Sequence, residues 1–140
     1  MMSEPGGKTY RPWEPQRSRQ EAHSPAAKLP EGDVVFFLLD IVPQLDLQRF
    51  DAPYEEETRG APPFDPAMMV GLWLYAYCVG VLSSRKLALA CERTLAFIAI
   101  VGQARPDFRT LSDFRKLHLE AFKDVCVQVI RLAGAAGLVK

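Results

Sequence analysis

The chain has 140 residues, 49% of them apolar, with 17 Lys and Arg set against 17 Asp and Glu. That length supports one modest domain with its own core and excludes two; the apolar fraction excludes a wholly disordered chain. A formal net charge of zero argues at first against nucleic-acid binding, which usually goes with a basic domain.

Residues 1–32 hold five of the eleven prolines and almost no aliphatic side chain, and are expected to form an extended, mostly disordered arm. Tyr10-Arg11-Pro12-Trp13 is its one fragment able to dock as an aromatic anchor, although a flexible tail is the favoured reading. Met1 to Lys28 has no apolar run and carries acids throughout, so neither a secretory signal nor a transit peptide is expected.

The helical part is expected over 33–140. Val34, Phe37, Leu38, Ile41 and Leu45 follow helical spacing, with Asp33 as cap and Pro43 ending or kinking the helix. Residues 51–64 read as a loop, and Glu55–Glu57 within it as a solvated acidic turn. Asp65-Pro66 is a strong helix start, with Phe64 placed to staple onto Met69. Ala67–Leu82 is nearly all apolar. At 16 residues it is shorter than the roughly 20 of a membrane span, and a central helix buried on all sides is expected. Ser83 or Ser84 begins the next helix, and Leu95–Val101 makes another, closed by Gly102. Thr110 and Asp113 fit a capping box for one last helix running to about Ala133, ended by Gly134 and Gly137. Its apolar stripe is Leu111, Phe114, Leu117, Ala121, Phe122, Val125, Val129 and Leu132. No alternating β-branched run occurs, so the expected fold class is all-α.

The zero charge is a cancellation. Residues 34–64 carry two basic and six acidic residues, net −4; residues 65–140 carry ten basic and six acidic, net +4. The acidic stretch is expected to fold back on the basic face when DNA is absent.

Catalytic chemistry is poorly represented. His23, in the tail, and His118, in mid-helix, sit beside no plausible catalytic Ser or Cys partner, no Gly-rich phosphate loop follows a strand, and no metal-ligand cluster is spaced for use. No catalytic residue, metal or cofactor is therefore expected. Cys78, Cys91 and Cys126 are widely spaced, give no disulfide framework, and are each expected to be small buried apolar residues.

Binding chemistry is better represented. Two helix starts combine hydroxyls with bases: Ser83-Ser84-Arg85-Lys86, and Arg109-Thr110-Leu111-Ser112 with Arg115-Lys116 one turn on. In a helix-turn-helix unit, one helix crosses the DNA backbone and the next puts its N-terminal turn into the major groove. Arginine there pairs with guanine, while lysine and hydroxyls hold phosphate. A solvated face is the competing reading, since Lys116, Glu120 and Lys123 are spaced for ion pairs within the helix.

The order of short motifs resembles the N-terminal domain of bacterial insertion-sequence transposases with a DDE catalytic core. The resemblance spans Tyr10 to Lys140. It rests on Tyr10-Arg11-Pro12-Trp13, Leu29-Pro30-Glu31, Gln44-Leu45-Asp46-Leu47, Pro62 to Pro66, Leu74 to Tyr77, Gly80 to Leu87, Ala90-Cys91, Leu95-Ala96-Phe97, Arg105-Pro106-Asp107, Arg109 to Arg115 and the ending Ala136 to Lys140. The family usually has Arg-Trp where this chain has Ile98-Ala99, and His where it has Phe108.

The resemblance implies a non-catalytic unit that binds the element's terminal inverted repeats through a helix-turn-helix-like arrangement. It also implies that this chain is truncated before the metal-dependent strand-transfer domain, in a cytoplasmic, nucleoid-associated protein with no membrane partner. The expected DNA-binding residues are Ser84, Arg85, Lys86, Arg105, Arg109, Thr110, Ser112, Arg115 and Lys116. Double-stranded DNA is the expected partner, with a second copy or full-length transposase as a further one. The alternatives are a dimerisation module inhibiting full-length transposase, or an inactive remnant.

Overall fold

The structure is a computed structural model that describes residues 10–16, 24–51, 64–135 and 137, with Asp51 described by its backbone alone. The acidic residues 52–59, the rest of the expected loop to 63, and His23 lie outside the described residues. So do residues 1–9 and 17–22 of the expected arm, and Glu55–Glu57, three of the six acids of the stretch expected to fold back.

The described residues hold seven bounded α-helices: α1 (Val34–Ile41), α2 (Gln48–Asp51), α3 (Pro66–Val79), α4 (Ser84–Arg93), α5 (Leu95–Val101), α6 (Phe108–Leu117) and α7 (Leu119–Ala135). Single 3-10 turns occupy Ala26–Lys28 and Val42–Gln44, and the described residues contain no strand. The all-α expectation holds. Among the described residues, no single helix is long and apolar enough to cross a membrane.

The hub is α3. Asp65 accepts from the Ala67 N–H at 2.9 Å, and Pro66 occupies the first helical position, where its missing N–H leaves no bond unmade. Every residue from Met68 to Ala76 is buried. The helix ends three residues short of the expected Leu82. Gly80 takes a left-handed φ of 83°, open to glycine without strain, and Val81 N–H closes back on the Ala76 carbonyl at 2.8 Å. Tyr77, Cys78 and Val79 thereby leave the core at the helix end.

Helix α1 and the turn after it pack on α3, and α5 packs on both α1 and α3. Asp33 caps α1 through the Val35 N–H at 2.9 Å. Pro43 sits in the 3-10 turn that ends the helix, as its chemistry requires. The docking alternative for the aromatic fragment is realised at Trp13. Its indole N–H donates to the Ile100 carbonyl at 2.6 Å, near the end of α5, and Arg11 lies 4.2 Å above the Phe64 ring.

The expected single last helix is two helices. His118 leaves helical geometry (φ −110°, ψ 23°), and α7 restarts at Leu119. The cause is packing: His118 is 3% exposed, while Leu117, expected in the apolar stripe, is 59% exposed. The imidazole joins a cluster in which Phe50 of α2 meets Phe114 (5.6 Å), His118 (4.9 Å) and Phe122 (5.3 Å). Gln128 of α7 fixes the same corner. Its amide accepts from the Asp46 N–H and donates to the Asp46 carbonyl. At the far end α7 runs through Gly134 to Ala135, slightly beyond expectation.

The cysteines correct another expectation. Only Cys91 is buried; Cys78 and Cys126 are exposed, one where α3 leaves the core and the other on the outer side of α7. Burial first, then the charge of Glu92, pushes the Cys91 thiol up to about 12. At pH 8, a chromogenic disulfide reagent is expected to modify two thiols of the native chain, and the third only after denaturant is added. Rapid reaction of all three would contradict the packing of α4.

Candidate nucleic-acid interface

Helix α4 packs on α5 and also on α6, and this second contact brings the two basic helix starts together. At the start of α4, the Ser83 hydroxyl accepts from the Lys86 N–H at 3.4 Å. At the start of α6 the cap is Asp107, whose carboxylate accepts from the Thr110 N–H at 2.8 Å. Thr110 was expected to be the cap and instead lies inside the first turn, so the helix begins at Phe108. The hydrogen bond from the Thr110 backbone, followed by the Thr110 side chain, holds the Asp107 carboxyl below its ordinary value.

Phe108 is the junction of the two starts. The Arg85 guanidinium lies 4.1 Å from its ring centroid, and Arg109 approaches the same ring at 5.9 Å. A cation over an aromatic face is attracted by the ring quadrupole, at about 0.5–1 kcal/mol when exposed. Arg85, Lys86 and Arg109 are all exposed, with half-buried Ser84 and Thr110 beside them in sequence. Among the described residues the charged ends of these three side chains have no hydrogen bond or ion pair.

Arg115 is placed differently. Its guanidinium lies 4.2 Å over the buried Trp73 ring and donates through Nη1 to the Leu82 carbonyl at 2.7 Å. Trp73 in turn donates from its indole to the Leu111 carbonyl of α6 at 3.2 Å. This clasp fastens α6 to α3 and to the turn preceding α4. Ser112 is half-buried, and Lys116 is exposed. Arg105 borders a groove between the docked Trp13 segment and α5 with its following loop. Of the ion pairs expected within the helix, Glu120–Lys123 forms, at 3.1 Å between two exposed side chains.

Phe108 and the Leu82 carbonyl were missed as site features. The available signal was an aromatic residue at a helix start between Asp107 and Arg109, a place where a solvated face has no need of one. Among the described residues, no group of His, Cys, Asp and Glu is arranged to hold a metal ion.

The fold is thus an all-α domain with a cationic face built from two adjoining helix starts. Residues 23–117, more than half of the chain, match the DUF772 transposase domain, and the chain belongs to that family. The match ends at Leu117, where α6 ends; α7 follows it. No curated protein and no solved structure was found to match the chain.

Proposed function

We propose that this chain is a DNA-binding unit of an insertion-sequence transposase of the DDE type, and that residues 33–140 engage the terminal inverted repeats of the element. The supporting observation is the Phe108 junction, which brings Arg85 and Arg109 to one ring at two helix starts, with exposed Lys86 next to Arg85 in sequence. The exposed cations at these two starts supply the charge that neutralises backbone phosphate. Helices α4 and α6, which pack on each other, then serve as a helix-turn-helix-like pair, with their adjoining first turns directed to the major groove. Strand cleavage is assigned to a separate catalytic domain, and this unit works without a cofactor in the bacterial nucleoid.

A gel shift tests this reading. The probe is the inverted repeat flanking the gene's own locus, compared with a scrambled duplex of the same composition at one stated salt concentration. The repeat is expected to bind at least tenfold more tightly, the low end of ordinary discrimination between specific and non-specific sites being higher still. Equal binding of the two duplexes contradicts recognition of the ends. Failure to bind either supports the dimerisation reading, for which sedimentation and capture of full-length transposase are the measurements.

A further inference from the structure

We propose that Arg85 determines base specificity on this face by reading a guanine, and that Phe108 is the positioning residue that orients it. This rests on the DNA-binding reading above and adds a division of labour among the cations.

The two side chains come from different helices, 23 positions apart in sequence, and meet at 4.1 Å between guanidinium carbon and ring centroid. A guanidinium stacked on an aromatic face keeps its N–H edge clear, because the donors lie in its plane and the ring covers only one side. For Arg85 that edge is open, with no hydrogen bond or ion pair among the described residues. Guanine presents two acceptors, O6 and N7, side by side in the major groove, which matches a pair of parallel N–H groups. A guanidinium already held over a ring loses less rotamer freedom when it binds than a free arginine does.

The neighbouring cations suit other tasks. Lys86 is a compact charge on a flexible stem, fit for phosphate. Arg109 stands farther from the ring, at 5.9 Å. Arg115 is committed to Trp73 and the Leu82 carbonyl, so its fork is not open to a base. Asp107, immediately before Phe108, is committed to capping α6 by accepting from the Thr110 N–H.

The test is selection from a randomised duplex library by the 140-residue chain. Affinities are then measured for the enriched duplex and for copies with each base pair replaced in turn. Wild type is expected to show one guanine position whose replacement weakens binding about ten- to a hundredfold. Arg85→Ala and Phe108→Leu should both abolish the preference at that position and leave the other positions unchanged. Phe108→Tyr, which keeps the ring, should restore it, a result that a general loss of packing would not give. Arg115→Gln should lower the thermal midpoint and keep the preference. Survival of the guanine preference in Arg85→Ala or Phe108→Leu overturns the proposal. Non-specific binding with no enriched sequence also overturns it and leaves the DNA reading in place; absence of any binding overturns both.

Discussion

Replacing Trp73 with alanine is expected to destabilise the fold by about 3–5 kcal/mol, the range for losing a large aromatic from a core. The residue is 0% exposed, and three independent features depend on it. The indole fills the centre of the hub helix. Its N–H satisfies the Leu111 carbonyl of α6, and its ring supports the Arg115 guanidinium. Alanine leaves a cavity, the Leu111 carbonyl without its second donor and a cation without its platform. Against a typical total stability of about 5–15 kcal/mol, that loss removes a large fraction of the folded margin. Urea unfolding followed by far-ultraviolet circular dichroism measures it. Trp73→Phe keeps an aromatic ring and omits the N–H, and should cost less, about 0.5–1.5 kcal/mol for the lost hydrogen bond beyond the lost indole volume, since the Leu111 carbonyl keeps its helical donor. A change below 1 kcal/mol in Trp73→Ala would contradict the hub.

Phe50→Ala is expected to cost about 3 kcal/mol, although the residue belongs to a helix of only four residues. Phe50 is 0% exposed and wedged among Phe114, His118 and Phe122, so its removal empties the space between α6 and α7. The short helix has little structure of its own to resist collapse into that space, which sets the expectation at the low end for a phenylalanine. Amide exchange should accelerate most at the start of α7 and least in α3. Uniform acceleration would place Phe50 outside the α6–α7 cluster.

Helix starts were legible where local chemistry decides them. Asp33, Asp65 and Ser83 cap as expected because the bond joins side chain to backbone two or three residues away. Between Asp107 and Thr110 local chemistry was ambiguous, since both residues make good caps. The structure uses Asp107, which starts the helix one turn earlier and places Phe108 at its first position, against Arg85. Non-local features were hidden for the same reason. The Leu111–Leu132 spacing continues smoothly through 118, and only the tertiary placement of Phe50 explains why histidine, not Leu117, turns inward there. Arg115 read as an open cation because its partners, Trp73 and Leu82, lie more than 30 positions away. The zero net charge concealed the face altogether. The ten basic residues of 65–140 include Arg85, Lys86 and Arg109, and the sum over the chain cancels them against acids elsewhere.

The most direct measurement for the cationic face is the salt dependence of DNA binding by the whole chain and by the Lys86→Gln/Arg109→Gln variant. Each phosphate neutralised contributes about −0.9 to the slope of log K against log salt concentration. The wild-type chain is expected to bind duplex DNA with a clearly negative slope, and the variant with a slope shallower by about 2. An identical slope and affinity in the two proteins would contradict the assignment of this face to DNA.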